Sequence, residues 1–530
     1  MNALVEWRAA IGDENVLTAR ERLVSYTANV NALTREISAV LRPADTRQVQ
    51  QIVQVANRYR AALYPISCGR NWGYGSRLPV RDGAAILDLS RLDRIRNEFT
   101  LAGHYALIEP GVTQGKLYAA LQRSGLPLLF NATAAGTETS VLGNSLDRGF
   151  GYFAMRAEDV GGMEVVLGTG EILQTGYGHY PNARATAHYK YGLGPSLDGL
   201  FFQSNFGVVT CATLHLYPRR DCHVTLIAKL QRDEDFAEFI DRLADLRRKS
   251  IVESVLHIGS RNRIRVTLAP AVYNFLVAQG APPGDGLRRI AEEMLSREKY
   301  AAWTAVGGVF GTRGEVKAKL AQIKERLEGI AVVGVMTPQK LRRTEALLRL
   351  LGSAGRRKLA VFQGAKALMD FCLGIPSNMA LLSPQWAVGE SPDTASLELD
   401  DSNVGLLFCC PSLPLEGGAA CEVVDCVQRV FQRFGFEPYM TLNIVNTKTL
   451  LCVLNLVFQR SDAHRARDAH RCVDSLFEEW ARRGIYPYRL GIQSMDQFVR
   501  AEDIFWQIVR KLKHVLDPNE IIAPGRYNMV

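Results

Sequence analysis

The sequence predicts an α+β protein of two domains, on three observations. Apolar residues at helical spacing alternate along the whole chain with short apolar runs ended by turn residues. Residues 1–218 are punctuated by glycine clusters, which thin out after Pro218 as longer, basic helical stretches appear. The final segment, "EDIFWQIVRKLKHVLDPNEIIAPGRYN", is an amphipathic helix followed by a proline-bounded turn. A chain of 530 residues with 47% hydrophobic content has enough apolar material for more than one core.

Each element has a local reason. "TRQVQQIVQVANRYR" puts Val49, Ile52, Val53 and Ala56 on one helical face. "AAILDL" and "YALIEPG" are short strands closed by turn residues. "QGKLYAALQRSG" is a short helix stopped at Ser124-Gly125. "GMEVVLGTGEILQTG" is a hairpin around Gly168-Thr169-Gly170. "FGVVTCATLHLYP" reads as a further strand pair closed by Pro218. Beyond it, strands such as "HVTLIAKL" alternate with helices such as "EVKAKLAQIKERLEG" in a second α+β domain reaching Gly484. The acidic stretch Asp393–Ser402 reads as an exposed loop.

Composition excludes several classes of function. The net charge of +9 is scattered in short clusters such as "LRRK" and "GRRK", with no basic tail and no aromatic-basic repeat. A solvated basic surface, or steering of a small anion, is expected rather than nucleic-acid binding. The start, "MNALVEWRAAIGDEN", has no basic stretch followed by an apolar run, so no secretory signal is expected. No run of about 18 apolar residues occurs, so no membrane span is expected. Ten cysteines without CxxC spacing read as reduced thiols of a cytoplasmic protein. Nine dispersed histidines, without HxH or HExxH, give no metal site.

The stretch "YPISCGRNWGYGSRLP" holds Gly69, Gly73 and Gly75 within seven residues. Gly73 and Gly75 lack the third glycine of a dinucleotide fingerprint, and no G-K-[ST] follows. What remains is a loop whose successive N–H groups can form an anion nest for a pyrophosphate; a plain turn-rich loop is the alternative.

Six motifs then occur in order: "YPISCGRNWGYG", "IEPGVTQGKLY", "SVLGNSLDRGFGY", "GMEVVLGTGEIL", "DGLFFQSNFGVVT" and "LDPNEIIAPGRYN". This series resembles the vanillyl-alcohol oxidase and p-cresol methylhydroxylase family of flavoproteins, closely over residues 1–218 and the C-terminal segment and more loosely between. The resemblance implies a split, two-subdomain FAD-binding domain with an inserted α+β cap. The implied division is an FAD-binding domain at 1–218, a cap or substrate domain at 219–484, and a segment at 485–530 returning to the FAD-binding domain.

By the same resemblance, Ser67, Gly69, Arg70 and Asn71 cradle the FAD pyrophosphate, with Gly73 and Gly75 letting their loop press against the cofactor. Pro110 and Gly111 pass near the adenosine. Ser140, Gly143, Asn144 and Gly149 line the ring and ribityl side, and Gly207 and Val208 hold the flavin through main-chain groups. Cys68 reads as a small buried hydrophobe. Arg526 matches an arginine near the pyrimidine edge of the flavin, where a fixed cation stabilises the negative charge of the reduced ring. Tyr74 and the pair Tyr488-Arg489, the latter arriving with the returning C-terminal segment, match the family's phenol-binding groups. A cation and two hydroxyls on one oxygen favour its anion.

Two positions depart from the family. Ala135 stands where vanillyl-type oxidases carry an acid beside the flavin, with Glu138 nearby in sequence. Leu406 stands at the flavin-linking position, so non-covalent FAD is expected; Cys409, Cys410 and Tyr439 are the alternative linkers.

The implied activity is oxidation of a para-substituted phenol by hydride transfer from its benzylic carbon to flavin N5, through a quinone methide. Oxygen, a quinone or a cytochrome would reoxidise the flavin, and a homodimer is expected. The alternatives are oxidation of a non-phenolic alcohol or hydroxy acid, and a catalytically silent flavin-binding scaffold.

Overall fold

The computed structural model describes residues 2–297, 300–392 and 398–528. In the first sheet, strands Val40–Leu41 and Leu63–Ile66 both run parallel to Ala85–Asp88 between them, and Val16–Leu17 lies antiparallel at one edge. The helix Thr46–Tyr59 makes the crossover between the two outer parallel strands. The Asp45 carboxylate accepts from the Gln48 N–H at its start, and Val49, Ile52, Val53 and Ala56 are buried as their spacing requires. The strand Leu63–Ile66 therefore delivers Ser67–Asn71 to the carboxyl end of a parallel strand, where open α/β sheets bind ligands.

The second sheet is antiparallel, in the order Tyr105–Ile108, Gly207–His215, Val160–Leu167, Ile172–Gln174. The expected hairpin turns at Gly170, whose φ is +87°. The expected strand pair at Phe206–Pro218 is instead one nine-residue strand, Gly207–His215. "GVVTCATLH" contains no turn residue to fold it back, and Tyr217–Pro218 pairs elsewhere, with Leu128–Leu129.

Eight strands form the cap sheet, every neighbour antiparallel. Their order is Ala331–Met336, Cys222–Leu230, Trp303–Gly311, Leu256–Ser260, Tyr439–Ile444, Thr449–Gln459, Val404–Pro414 and Tyr486–Arg489. Along Val404–Pro414, side chains alternate between faces. Leu407 and Cys409 enter the core shared with the helices Phe236–Arg248, Gly417–Phe434 and Ala463–Ala481. Leu406 and Phe408 face the other way, packing with Val30 and Trp72.

Two expectations change here. Tyr486–Arg489 is an edge strand of the cap sheet, so Tyr488 and Arg489 arrive from the cap and not with the C-terminal segment. Of the acidic stretch Asp393–Ser402, residues 393–397 lie outside the described residues, while Leu399 and Asp400 are buried rather than exposed. The reason is a set of polar partners across the domain seam. Asp400 accepts from the Ser76 hydroxyl at 2.7 Å and the Val30 N–H at 3.0 Å, and Glu398 pairs with Arg77 at 2.9 Å and Arg70 at 3.4 Å.

The chain does return to its beginning. Ile522 bridges Leu63 in the first sheet, and the helix Ile504–Leu516 lays Val509, Leu512 and Leu516 on the core of the second. Among the described residues, no helix is long and apolar enough to cross a membrane.

A buried ion pair fixes that return. Lys513 donates to Asp517 at 2.5 Å and to the carbonyls of Asn205 and Ile522 at 2.5 and 2.8 Å, and Asp517 also accepts from the Ile521 and Ile522 N–H groups. Asp517→Asn strips a fully buried ammonium of its countercharge. It should destabilise the protein by about 3–5 kcal/mol, read as a fall in the urea midpoint; an unchanged midpoint would mean that the pair does not hold the C-terminal segment.

Candidate active site

One cleft connects the two small sheets with the cap edge. At one end the five N–H groups of Ser67 to Asn71 have no protein acceptor among the described residues, and Gly69 sits at φ +68°. Successive unpaired amides in a turn make an anion nest. Ser67 packs so closely on the helix Val141–Leu146 that a Cβ at Gly143 would lie 2.6 Å from the Ser67 Oγ. Ser140 caps that helix, accepting from the Gly143 N–H at 2.9 Å, and donates to the Pro110 carbonyl at 2.5 Å. Gly207 and Val208 form the opposite wall. These groups fit an elongated diphosphate-bearing cofactor such as FAD.

Ser67, Gly69, Arg70, Asn71, Ser140, Gly143, Asn144, Gly207, Val208 and Arg526 all line this cleft. Pro110, Gly111 and Gly149 stand behind it. Pro110 serves as the acceptor that fixes Ser140. Gly111 permits a close backbone crossing, since a Cβ there would lie 2.3 Å from the Ser90 carbonyl oxygen. Gly149 clears space for the Asn144 side chain, which Arg156 orients at 3.3 Å. Cys68 turns its thiol toward the Pro110 and Gly111 carbonyls, and burial pushes its pKa up to about 12. It stays protonated and acts as packing.

Gly73 and Gly75 each meet a side chain from a distant part of the chain. A Cβ on Gly73 would lie 2.2 Å from the Phe408 ring, and one on Gly75 2.7 Å from Ile492. The two glycines let the loop pack closely against Phe408 and Ile492.

At the far end of the cleft, Asp147 lies between Arg489, at 2.9 Å, and Arg526, which also bonds to it directly. Arg526 donates to the Tyr64 hydroxyl at 3.2 Å, and Arg489 donates to the Asn71 side-chain oxygen. Burial pushes the Asp147 carboxyl up, but Arg526 and Arg489 outweigh it and hold its pKa below the ordinary 3.8. Burial opposes both guanidinium charges, yet Asp147 leaves each above the usual arginine value. Two cations and one anion leave one positive charge at this end. The sequence does not single out Asp147, although it lies within the motif "SVLGNSLDRGFGY". The available signal is electrostatic, because two arginines converging in a buried site need an acid between them.

Arg489 also stacks its guanidinium 4.0 Å from the Tyr74 ring centroid, and Phe408 stacks on Tyr74 at 5.1 Å. The Tyr74 hydroxyl lies 3.0 Å from the Cys410 Sγ. Tyr488 packs with Phe150, Met155 and Val445, and its electrostatic neighbours are Cys410 and Arg489. The structure thus gathers Tyr74, Tyr488 and Arg489, though neither tyrosine lines the cofactor cleft. Burial pushes both phenols upward, so both are neutral and able to donate.

Ala135 presents only a methyl group. Glu138 is exposed, with its carboxylate beside Gly115 and Cys68. Leu406 is buried against Val30 and Trp72. Of the alternative linkers, Cys409 is on the helix-covered face of the cap sheet and Tyr439 bonds Glu437, leaving Cys410 beside the site.

Comparison with known proteins matches residues 37–176 to the FAD binding domain family. The chain is 30% identical to the 1'-carboxy-chondrochloren decarboxylase of Chondromyces crocatus, over 99% of this chain and 97% of that protein. It is 26% identical to the 4-cresol dehydrogenase [hydroxylating] flavoprotein subunit of Pseudomonas putida, over 99% and 94% respectively. Among solved structures it is similar to p-cresol methylhydroxylase with substrate bound and to a 4-ethylphenol oxidase from Gulosibacter chungangensis. Each has a TM-score of 0.82 and 25% identity, and covers 99% of this chain and 96% of the other.

The ion triad has a measurable consequence. A carboxyl whose folded pKa is depressed contributes its full stability above the unfolded value and loses it as pH falls through the folded one. For Asp147 that loss begins below about 3.8. Asp147→Asn leaves two buried guanidinium groups without a countercharge, a cost of about 3–5 kcal/mol. Urea midpoints should be lower at neutral pH and should depend less on pH in the acid range than wild type. Equal midpoints would remove the triad as a structural element.

Proposed function

Because the chain belongs to the vanillyl-alcohol oxidase and p-cresol methylhydroxylase family of FAD-dependent oxidoreductases, we propose that it oxidises a para-substituted phenol bound as its phenolate. The observation that carries this reading is Arg489 stacked on Tyr74 with Tyr488 alongside, Arg489 itself belonging to a triad with one uncompensated positive charge. A neutral phenol ionises near pH 10, and a cation with two hydroxyl donors lowers that value.

Ser67, Gly69, Arg70 and Asn71 hold the pyrophosphate of FAD through the nest. Pro110 and Gly111 support the adenosine end. Ser140, Gly143, Asn144 and Gly149 shape the ribityl side, Gly207 and Val208 the wall, and Arg526 holds the pyrimidine edge. The FAD supplies the acceptor, at its N5, for a hydride from the benzylic carbon. Arg489, Tyr74 and Tyr488 hold the substrate oxygen as an anion whose electron density expels that hydride, so no side-chain base is needed at the benzylic carbon. Leu406 has no nucleophilic atom, and the Cys410 thiol is held against the Tyr74 hydroxyl and kept protonated by burial, so the FAD would be held without a covalent bond.

The fate of the oxidised substrate depends on Ala135. A methyl group cannot activate water, and the Glu138 carboxylate is exposed, beside Gly115. The quinone methide is therefore biased toward desaturation or rearrangement rather than hydration.

The decarboxylase relative favours a second reading of the same site. If the carbon next to the benzylic carbon carries a carboxylate, the electron pair of its C–CO2 bond forms the new C=C as the ring returns to phenolate, and CO2 leaves. The two electrons removed are those of the hydride, and no water or base takes part.

Anaerobic mixing with para-substituted phenols, 2-hydroxy acids and sugars tests the main reading, which expects flavin bleaching by phenols alone. A charge-assisted hydrogen bond is worth about 1.5–3 kcal/mol, so Arg489→Ala should slow bleaching by about one to two orders of magnitude. Tyr74→Phe and Tyr488→Phe should each cost about tenfold. Unimpaired bleaching in Arg489→Ala would exclude this anion site. Product analysis in labelled water should find little solvent oxygen in the product; majority incorporation would exclude the role given to Ala135. Release of CO2 from 3-(4-hydroxyphenyl)propanoate-type acids would select the second reading.

A further inference from the structure

We propose that the Cys410 thiol is a positioning residue of the phenol site, holding the Tyr74 hydroxyl ready to donate to the substrate oxygen. This rests on the phenolate reading above and adds a residue to it. Leu406, Phe408 and Cys410 alternate along Val404–Pro414 and share the face turned away from the cap helices. Cys410 pairs with Arg489 across the strands, and the register shifts between Cys410 and Pro411. Such an irregularity re-aims side chains at a sheet edge.

The Tyr74 ring has little freedom. Phe408 covers it at 5.1 Å and the Arg489 guanidinium at 4.0 Å, while the Tyr74 carbonyl accepts from the Ile492 N–H at 3.0 Å. What remains is rotation of the O–H bond, which decides whether the hydroxyl presents a proton or a lone pair. The Cys410 Sγ, 3.0 Å away, is its partner among the described residues.

The element sulfur matters here. A thiol is both a weak donor and a weak acceptor, so it satisfies a buried hydroxyl without competing strongly for it. A phenolate oxygen accepts a charge-assisted hydrogen bond roughly twice as strong as a neutral one. When that anion is present, the Tyr74 proton turns to it and the thiol proton turns to the Tyr74 oxygen. The result is a chain from S–H through O–H to the substrate oxygen, in which each bond polarises the next.

No proton leaves its heavy atom in this arrangement. Burial pushes the Cys410 thiol up to about 11, so it remains a donor across the working range. The other titratable groups that interact with it are Tyr74, Tyr488, Cys409 and Cys452, all neutral because burial raises them, and Arg489, kept charged by Asp147.

The test is a double-mutant cycle read by ionisation of a bound phenol. 4-Nitrophenol is titrated into FAD-loaded protein, and its phenol-to-phenolate absorbance is followed against pH. Cys410→Ala should move the bound ionisation to higher pH, and should slow anaerobic flavin reduction by no more than the roughly tenfold expected for Tyr74→Phe. In a Tyr74→Phe background, Cys410→Ala should add nothing to either readout. Cys410→Ser keeps a donor and an acceptor but competes more strongly for the Tyr74 hydroxyl, so it should recover only part of the shift. If Cys410→Ala fails to fold, Cys410→Val carries the same expectations. An unshifted ionisation in the single variant, or an equal shift when Tyr74 is phenylalanine, would overturn the inference. If wild-type protein binds 4-nitrophenol only as the neutral phenol, the phenolate reading itself fails, which is a separate outcome.

Discussion

Asp147 is the group on which the functional end of the molecule depends. It comes from the FAD-binding part of the chain, yet its two partners arrive from elsewhere. Arg489 stands on the edge strand of the cap sheet, and Arg526 on the segment that closes the chain. Two guanidinium groups brought this close in a buried site repel each other unless a carboxylate lies between them. The ion triad is thus both a joint between three parts of the fold and a source of one uncompensated positive charge. Neutralising that charge is what a bound anion, whether reduced flavin or phenolate, can do.

The rest of the architecture supplies the surroundings. A parallel strand delivers the Ser67–Asn71 amides to one end of the cleft, and the antiparallel sheet forms its wall with Gly207 and Val208. The seam between cap and cofactor loop is tied by Glu398 and Asp400, which hold Arg77, Arg70 and Ser76. Burial pushes the Asp400 carboxyl up to about 7, because it has left water for a place with few donors. The Ser67–Asn71 loop is thereby tied, through Arg70 and its neighbours Ser76 and Arg77, to the segment that leads into the eight-strand sheet.

Legibility in the sequence tracks the range of the physics. The helix stop at Ser124-Gly125 and the hairpin at Gly170 depend on neighbouring residues, and each is legible from local pattern. Tyr74, Tyr488 and Arg489 are legible through family resemblance, and the structure does gather them. Less accessible are contacts between residues hundreds of positions apart. Gly73 and Gly75 are glycine because Phe408 and Ile492 occupy the space of a side chain, and no local signal distinguishes that from a close approach to cofactor. The seam acids, expected in solvent, are paired with arginines and hydroxyls from the other domain. Cys410 gives no sign of its place beside Tyr74, because only the eight-strand register brings it there.

The site, on the function proposed for it, works on an anion. The most direct measurement compares anaerobic flavin reduction by a 4-alkylphenol with that by its O-methyl ether, which has the same benzylic C–H bonds but cannot ionise. Phenolate activation predicts rapid bleaching by the phenol and none by the ether. Equal bleaching by the two would contradict it and reduce Tyr74, Tyr488 and Arg489 to a polar wall.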